Sequence, residues 1–543
     1  MNPYRNYIGQ AGNLAAGDAT DLGLPARSRQ WLARRATEAT RHPLLDSASA
    51  QRHLVPTKSG PRFTRNVRAS VPLVVDLDGT LVRSDLLAES IFALAKKALL
   101  DCLKLPLWFA SGRAGLKRKL AQRAQLDVSK LPYCRDLLIY LEAEKRRGRT
   151  LVLATAADES VARKVAAHVG LFDVILASDG HTNLAGREKA ERLVAMFGAK
   201  RFDYIGNSWQ DIAVWKEARK ALLVQAGAWL RHRITKAVDV DYVFASDDHS
   251  PMVYLQALRW HQWFKNVLVF VPLLAAHRLF EPALLGGALL AFAAFSLCAS
   301  SIYVLNDLID LQTDRLHPVK KQRPLASGRL PIGHAVGLIL VLLGATLAIG
   351  AMLPPLLLIV LALYFVLMLA YCLWLKDIPY IDALTLGTGY ASRIVAGAAA
   401  VGMLASPWLL GVAVLFFSGL TLLKRYAELV TLHLHTGVQT RVRGYAGYSG
   451  GTIARVGKLS GILAVLVLAT YGYIHQRQHA GFAFVAGVCV LLSYWMMHMW
   501  GLARQSRIAG DPVSFAYKDP TSQVIACLLS TVLLIAARFY AYN

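Results

Sequence analysis

The chain is poor in charged residues, which make up only 17% of its 543 positions, whereas 55% are hydrophobic. This balance excludes a disordered or fibrous protein and disfavours a wholly soluble one. Acidic residues are especially scarce, since 35 Asp and Glu stand against 60 Lys and Arg, a net charge of +25. The excess needs an anionic partner, which could be nucleic acid, a membrane surface or a phosphorylated substrate. The location of the basic residues has to decide among these.

Cysteine is also scarce, and the six cysteines show no CxxC or other metal-ligand spacing. We therefore expect the cysteines to be small core residues of a protein in a reducing compartment. Residues 1–70 contain no apolar stretch long enough for a signal peptide, so none is expected. This region is predicted to be a basic flexible tail, although a segment at 30–35 has the composition of an amphipathic helix on anionic lipid. Both interpretations stay open.

Residues 71–225 alternate strand-like apolar runs with amphipathic helical stretches, which predicts an α/β domain with a parallel sheet. The candidate strands are 71–75, 150–154, 174–177 and 202–205. Residues 84–147 form a helix-rich insertion after the first strand, and residues 226–250 are predicted to be a linker.

The first strand leads into the sequence VVDLDGT, which places Asp76 and Asp78 just past a buried strand, with Gly79 allowing a tight turn. Paired carboxylates at the carboxyl end of a strand suit Mg²⁺ and a phosphoryl group. Three further motifs follow in order: Thr155 at the end of a strand, Lys189 in GREK, and YIGNS leading to Asp211. Together they resemble the haloacid dehalogenase superfamily, which implies a Rossmann-like phosphatase fold.

The resemblance implies a role for each motif residue. Asp76 would be the nucleophile and Asp78 the general acid and then base. Thr155 and Lys189 would hold the phosphoryl oxygens, with Asp211 completing the site. The insertion at 84–147 would be a helical cap that selects the substrate.

The same resemblance places Mg²⁺ on Asp76, the Asp78 carbonyl and position 207. This sequence has Asn207 where the family usually has Asp. An amide oxygen can bind Mg²⁺ but lacks the negative charge. A degenerate domain kept for structure or regulation therefore stays open as an alternative.

From residue 251 to 543 long apolar runs recur, and most approach the roughly 20 residues that span a bilayer. They predict an all-α membrane domain of about nine spans. The runs are 267–276, 284–304, 335–353, 355–375, 380–400, 407–423, 459–474, 481–500 and 521–537. Alternate loops, at 305–333, 424–458 and 501–520, carry most of the Lys and Arg, so we expect these loops and the N-terminal domain on the cytoplasmic side of the inner membrane. An odd span number would leave the C-terminus outside.

Residues 306–328 read NDLIDLQTDRLHPVKKQRPLASG, directly after an apolar run. Asn306, Asp310 and Asp314 share one helix face, and Lys320 and Arg323 follow them. Carboxylates that can hold Mg²⁺ beside fixed cations predict a diphosphate site. This pattern resembles the UbiA-type intramembrane prenyltransferases.

A second loop and two later stretches resemble the branch of that superfamily that transfers phosphoribose to polyprenyl phosphate. The loop segments are KDIPYID at 376–382 and GYASR at 389–393, and the later stretches are LKRYAEL at 423–429 and DPVSFA at 511–516. The resemblance implies that Asn306, Asp310 and Asp314 hold Mg²⁺ on the sugar diphosphate. The implied substrate-binding residues are Lys320, Arg323, Lys376, Asp377, Asp382, Lys424 and Arg425.

These two resemblances predict a bifunctional membrane enzyme with Mg²⁺ as cofactor. It would transfer 5-phosphoribose from phosphoribosyl pyrophosphate to polyprenyl (decaprenyl) phosphate, then remove the 5-phosphate, giving a lipid-linked ribose for cell-envelope arabinofuranose or ribose donors. An aromatic polyprenyltransferase of quinone biosynthesis and a non-catalytic scaffold or transporter are the alternatives, and a homo-oligomer is left open. The basic residues lie on the tail and loops without interleaved aromatics, so nucleic acid is not an expected partner.

Overall fold

The computed structural model describes residues 71–542 apart from 226, 237, 245–249, 277, 318, 437–444, 446–448, 477–480 and 509–510. The predicted tail at 1–70 and its segment 30–35 lie outside the described residues. The described chain forms an N-terminal α/β domain followed by a helical domain.

A six-stranded parallel sheet organises the α/β domain, in the order β3-β2-β1-β4-β5-β6. The strands are β1 (Leu73–Val75), β2 (Leu151–Asp158), β3 (Val174–Ser178), β4 (Asp203–Gly206), β5 (Lys220–Val224) and β6 (Val240–Phe244). The apolar side chains of β1 are fully buried, with Leu73 and Val75 in one core cluster and Val74 in the other. This central position explains the continuous hydrophobic run, since both faces of the sheet are covered. The four predicted strands are confirmed.

The helices of the α/β domain cover the sheet and build the insertion. They are α1 (Leu86–Lys97), α2 (Leu99–Cys102), α3 (Leu105–Ala110), α4 (Gly112–Ala124), α5 (Arg135–Arg146), α6 (Glu159–Val169), α7 (Arg187–Phe197), α8 (Ile212–Glu217) and α9 (Ala228–Thr235). A helix-rich insertion is present, but it ends earlier than the predicted cap at 84–147. Leu137, Leu138 and Leu141 of α5 pack in the core beside β1 and β2, so α5 is a layer of the sheet domain and not of the cap.

The predicted linker at 226–250 is also corrected. It contains α9 and β6, and β6 pairs in parallel with β5 as the edge strand. The α/β unit therefore extends to Phe244, about twenty residues past the expected boundary at 225.

The second domain consists of helices that are mostly long and apolar. They are α10 (Pro251–Leu258), α11 (Val271–Ala275), α12 (Pro282–Ile309), α13 (Leu311–Leu316), α14 (Ile332–Gly350), α15 (Pro355–Leu373), α16 (Ile381–Ala400), α17 (Pro407–Thr436), α18 (Gly450–Gln476), α19 (Gly481–Arg504), α20 (Pro512–Ala516) and α21 (Pro520–Tyr542). Within the described residues, six of them (α12, α14, α15, α17, α18 and α19) are long and apolar enough to cross a membrane. The chain is thus a multi-pass membrane protein.

The predicted number of nine spans is not confirmed by this count. The three remaining runs are helical too, but each departs from a simple apolar span. The first is a 3₁₀ segment, Trp260–Phe270, that continues into α11. Helix α16 carries the buried ionisable residues Asp382 and Arg393, and α21 contains an apolar stretch of only 17 residues, Pro520–Ala536.

The two domains are in direct contact through the insertion. Phe92 of α1 and Leu99 of α2 pack against the apolar cluster formed by α12, α15 and α16. Ala88 and Phe92 also contact a second cluster around α12 and α14. The insertion therefore rests on the helical domain at the end of α12, where the acidic motif begins.

Candidate active sites

The first site lies at the carboxyl end of β1, where Asp76 accepts a hydrogen bond from Lys189 Nζ at 2.7 Å. Asp76 directly follows β1, and Lys189 is on the first turn of α7. Both side chains are buried. Thr155 is fully buried on β2, two residues past Leu153, the partner of Val75 in the sheet. The parallel register thus brings a nucleophile candidate, a cation and a hydroxyl to one sheet edge.

A hydrogen-bond network connects Lys189 to the fourth motif. Lys189 Nζ donates to the Tyr204 hydroxyl at 3.0 Å, and that hydroxyl donates to Asp211 at 2.7 Å. The other carboxylate oxygen of Asp211 accepts from the backbone N–H groups of Asn207 and Ser208, at 3.2 and 3.0 Å. Asp211 therefore fixes both the lysine and the loop that carries Asn207. Tyr204 was not predicted as a site residue, although it precedes Asn207 by only three positions.

The side chain of Asn207 is placed as a metal ligand would be. Its Oδ1 is buried and has no hydrogen-bond partner among the described residues, which is costly unless a cation or water fills the gap. Its amide lies directly over Gly79, where a Cβ would come within 2.0 Å of Nδ2 and where φ is +73°. Only glycine fits this turn. Asp76, the Asp78 carbonyl and Asn207 are thus oxygen donors of the kind that Mg²⁺ prefers.

Burial changes the acidity of both motif carboxyls. It raises the pKa of Asp76 to about 6, although the nearby Lys189 counteracts part of this rise. Burial and the neighbouring charge of Asp85 raise the pKa of Asp78 to about 7, despite the hydrogen bond it accepts from the Leu86 N–H at 2.8 Å. A carboxyl that titrates near neutral pH can both give and take a proton. The Asp78 side chain is therefore suited to acid–base work.

The second site lies at the end of α12, where Asp310 is held by two lysines. Its Oδ2 accepts from Lys376 Nζ at 2.9 Å, and its Oδ1 accepts from Lys96 Nζ at 2.7 Å. Lys376 also reaches Asn306 Oδ1 at 3.3 Å. Asp310 and Lys376 are buried. The predicted pair Asn306 and Asp310 is thus gathered around Lys376, and a lysine from the α/β domain joins it.

One helical turn later, Asp314 is paired with Arg323. The Asp314 Oδ2 to Arg323 Nη1 distance is 2.5 Å, and the same nitrogen lies 2.9 Å from Asp307 Oδ1. Arg259 also donates to Asp307. Burial raises the pKa of Asp314, and the charge of Arg323 opposes this rise. Asp307 therefore anchors the arginine and the acidic turn, a role not predicted for it.

A third cluster surrounds Asp382, which is fully buried near the start of α16. Asp382 accepts from Arg425 Nε at 2.8 Å and from the Tyr445 hydroxyl. Arg425 also contacts Glu428 at 3.0 Å. Asp377, by contrast, is exposed at the turn before α16. Of the two predicted loop acids, only Asp382 is built into a buried network.

Two of the lysines predicted to bind substrate differ in their contacts from the other predicted substrate-binding cations. Lys320 and Lys424 form no salt bridge within the described ranges, while Lys376, Arg323 and Arg425 each pair with a carboxylate. Both are partly buried, and burial of an unpaired ammonium is costly without an anion. These lysines are therefore suited to a phosphorylated substrate.

No three His, Cys, Asp or Glu side chains in the described part of the chain are grouped as a metal cluster. In the first site the third oxygen donor is the amide of Asn207. In the second, the oxygen donors are Asp310, Asp314 and the amide of Asn306, and lysine and arginine contacts hold the two acids. Carboxylate and amide oxygens suit Mg²⁺ at both places, with few acidic ligands each.

Comparison with known proteins identifies a family for each domain. Residues 267–518 match the UbiA prenyltransferase family, and residues 73–216 match the haloacid dehalogenase-like hydrolases. The chain is 32% identical to the uncharacterized protein y4nM of Sinorhizobium fredii, over 86% of this chain and 91% of that protein. The chain belongs to the UbiA prenyltransferase family. Its N-terminal α/β domain is of the haloacid dehalogenase type.

Two further relatives resemble part of the chain. Decaprenyl-phosphate phosphoribosyltransferase of Corynebacterium glutamicum is 34% identical over 40% of this chain and 67% of that enzyme. Nodulation protein NoeC of Azorhizobium caulinodans is 32% identical over 53% of this chain and 94% of that protein. The chain thus combines a UbiA domain, with relatives named as phosphoribosyltransferases, and a haloacid dehalogenase-like domain.

Sequence reasoning missed the residues that join these two domains. Lys96 reaches the UbiA motif from the insertion, and Arg315 pairs with Glu89 of α1. It also missed the salt bridge between Lys265 and Asp511, 2.8 Å long. The only available signal was that Arg315 and Asp511 lie inside recognised motifs. Nothing in the sequence indicates their partners.

Proposed function

We propose that the UbiA domain transfers 5-phosphoribose from phosphoribosyl pyrophosphate to a polyprenyl phosphate such as decaprenyl phosphate. The supporting observation is the arrangement at Asp310 and Asp314, where buried acids stand among cations. Relatives named decaprenyl-phosphate phosphoribosyltransferase favour a sugar diphosphate as the donor. The haloacid dehalogenase-like domain then removes the 5-phosphate.

In the transfer step, the bond from ribose C1 to the diphosphate oxygen breaks and a bond from C1 to an oxygen of the lipid phosphate forms. Asn306, Asp310 and Asp314 would hold Mg²⁺, which supplies charge neutralisation to the departing diphosphate. Lys320 and Lys424 bind phosphate oxygens of the two substrates. The lipid phosphate is already anionic, so the chain needs no general base. Positioning and charge stabilisation carry the step.

In the hydrolytic step, an Asp76 carboxylate oxygen attacks the 5-phosphorus and the bond from phosphorus to O5 breaks. Asp78 protonates O5 as it leaves. Asp78 then takes a proton from the water that hydrolyses the aspartyl-phosphate, which releases phosphate and restores Asp76. Lys189 and Thr155 hold the phosphoryl oxygens, and Asp211 keeps Lys189 in place.

The orientation of the protein follows from its loops. The loops that carry most of the Lys and Arg alternate along the sequence with short connections that carry few, and the first of them contains Asp310, so we assign these loops and the α/β domain to the cytoplasmic face of the inner membrane. Both active sites then face the compartment that holds soluble sugar phosphates. The product would be a lipid-linked ribose for cell-envelope donors.

The test uses the full chain in detergent with labelled phosphoribosyl pyrophosphate, polyprenyl phosphate and Mg²⁺, and mass spectrometry of the lipid product. Wild type is expected to give polyprenylphosphoryl-ribose. Asp76→Asn should stop at the 5-phosphoribosyl lipid, and Asp310→Ala should give neither product. A final product unchanged by Asp76→Asn would contradict the coupled hydrolysis. Transfer from a polyprenyl diphosphate to an aromatic acceptor, in preference to phosphoribose transfer, would contradict the donor assignment.

A further inference from the structure

Lys96 is a residue of the haloacid dehalogenase-like domain that reaches into the UbiA site. It lies in the last turn of α1, and its ammonium is 2.7 Å from Asp310 Oδ1 and 3.2 Å from Thr313 Oγ1. The opposite oxygen of Asp310 is held by Lys376. One carboxylate of the transferase motif therefore bridges lysines from the two domains, 214 and 66 residues away in sequence.

The position of Lys96 is fixed by the surrounding interface. Arg315 forms two hydrogen bonds to Glu89, two turns before Lys96 on α1, at 2.6 and 2.9 Å, and both side chains are buried. Phe92, between them, packs on the UbiA helices. At Gly328, which follows the acidic loop, a Cβ would come within 2.6 Å of the Arg83 carbonyl oxygen. Polar, ionic and apolar contacts thus all hold α1 in this place.

A cavity of about 400 Å³ opens beside this contact. It is lined by both domains, with Lys96, Lys97 and Lys130 from one and Gln312 and Thr313 from the other. Lys97 donates to Gln125 and Lys130 pairs with Asp127, so Lys96 is the lysine of this lining that also contacts Asp310. The cavity gives a soluble substrate a place beside Lys96.

We propose that Lys96 is a diphosphate-binding residue of the UbiA site, supplied by the haloacid dehalogenase-like domain. The proposal rests on the proposed transfer from a sugar diphosphate. Its basis is electrostatic: an ammonium 2.7 Å from Asp310 Oδ1 lies within side-chain reach of an anion that Mg²⁺ would hold on that aspartate. With diphosphate held at Asp310 through Mg²⁺, Lys96 would donate to a diphosphate oxygen in place of the carboxylate. Transfer then depends on docking of the phosphatase-like domain.

Binding of inorganic pyrophosphate in the presence of Mg²⁺, measured by calorimetry on the full chain in detergent, tests this role without catalysis. Lys96→Ala is expected to weaken binding by about tenfold or more, the size of one charge-assisted hydrogen bond. Lys96→Arg should keep most of the affinity. Lys164→Ala is the control, because Lys164 is exposed on α6 and does not line the cavity. It should bind as wild type.

Equal affinity of wild type and Lys96→Ala would overturn the proposal. So would an equal loss in Lys96→Ala and Lys96→Arg together with a lowered melting temperature, since that pattern means that Lys96 only holds the domains together. The proposed function fails differently: wild type would bind pyrophosphate through Lys96 yet transfer no phosphoribose. The two failures are therefore distinguishable.

A separate observation concerns the surface of the insertion. Four large apolar side chains within ten residues are strongly exposed, namely Leu100 (79%), Leu103 (77%), Leu107 (70%) and Phe109 (63%). Soluble domains rarely expose such a contiguous patch. The preceding residue Leu99 packs on the UbiA helices, so the patch continues an interface with the membrane-spanning part.

We infer that this patch enters the lipid surface beside the UbiA helices. Exposed apolar side chains flanked by basic ones are typical of interfacial segments, and Lys104 and Arg113 stand close to the patch in sequence. The contact would hold the phosphatase-like site at the membrane, where a lipid-linked phosphate must be reached. The occupant is the bilayer itself.

Depth-dependent fluorescence quenching on the full-length protein in lipid nanodiscs tests whether this patch enters the bilayer. Cys102 and Cys527, the two cysteines that are not buried, are replaced by Ser. A fluorophore is then attached to Leu103→Cys or, as the control, to Arg187→Cys, whose side chain is 89% exposed on α7. Lipids with a quencher at the headgroup–acyl boundary should quench position 103 at least about twofold more than 187. Equal quenching at the two positions would overturn the inference.

Discussion

Arg315 and Glu89 form a buried, two-pronged salt bridge across the boundary between the two domains. Their side chains are 7% and 1% exposed, and the arginine also lies 3.4 Å from the Lys130 carbonyl oxygen. Arg315 directly follows Asp314 in the UbiA motif, and Glu89 belongs to the insertion of the haloacid dehalogenase-like domain. The UbiA motif, which we propose binds substrate, therefore also holds the neighbouring domain.

Removing one partner of this pair is expected to destabilise the docked state strongly. Glu89→Gln leaves the Arg315 guanidinium buried without its counter-charge, at a cost of about 3–5 kcal/mol. Thermal unfolding and limited proteolysis between β6 and α10 measure the effect. Glu281→Gln is the control, because its salt bridge with Arg278 is exposed to solvent, so its loss should change stability little. Equal stability of both variants would contradict this account.

Lys189 is predicted to be essential for hydrolysis and dispensable for transfer. Lys189→Met removes the ammonium that neutralises Asp76, so phosphate release should fall about a hundredfold or more. The total amount of ribosylated lipid should stay near that of wild type, but the lipid should keep its 5-phosphate. Lys164→Met, on the exposed surface of α6, should change neither step. Unchanged phosphate release in Lys189→Met would exclude the proposed site.

Position 207 offers a gain-of-function test. Asn207→Asp adds a negative charge at the buried, unpartnered oxygen over Gly79. The Mg²⁺ concentration that gives half-maximal hydrolysis should fall about tenfold, because a carboxylate binds this ion more tightly than an amide. A Mg²⁺ titration of phosphate release measures it, with Asn183→Asp as a control in the same domain. No change at 207, or the same change at 183, would remove Asn207 from the metal site.

Lys424 is expected to bind a phosphorylated substrate. Lys424→Gln should raise KM for one substrate of the transfer about tenfold, the size of one charge-assisted hydrogen bond. Steady-state kinetics with each substrate varied in turn identifies which one. Lys458→Gln is the control, since that ammonium lies over the Trp500 ring, 5.8 Å from its centre. If both variants behave alike, Lys424 is only an interfacial anchor.

The sequence predicted the central strands and the acidic motifs because both are local signals. A continuous apolar run followed by DLDG identifies β1 and its turn without knowledge of any partner. Strand β6 was missed because Asp241 interrupts its apolar pattern, and the structure shows that Asp241 pairs with Lys220 of β5 at 2.7 Å. When the hydrogen-bonding partner of a polar residue lies on another strand, the sequence alone gives no strand signal there, and the segment is predicted as a linker.

The residues of the candidate sites also fall into those with a local sequence signal and those without one. Asp76, Lys189 and Asp211 were predictable because each lies in or beside a local motif that resembles the haloacid dehalogenase superfamily. The contact of Lys96 with Asp310 was not, because no periodic pattern relates residues 214 positions apart. Pairing between domains depends on three-dimensional packing, and a single sequence does not record it.

The buried salt bridge of Glu89 with Arg315 also bears on how the two halves can be studied apart. Cutting the chain after Phe244 would expose Glu89 and Arg315, which the intact protein shields from solvent. It would also expose Phe92 and the apolar surface that Phe92 covers. Each half alone would then present a charged, apolar-rimmed face prone to self-association. We expect the separated halves to need substitutions at this face, and we expect co-expressed halves to find each other through it.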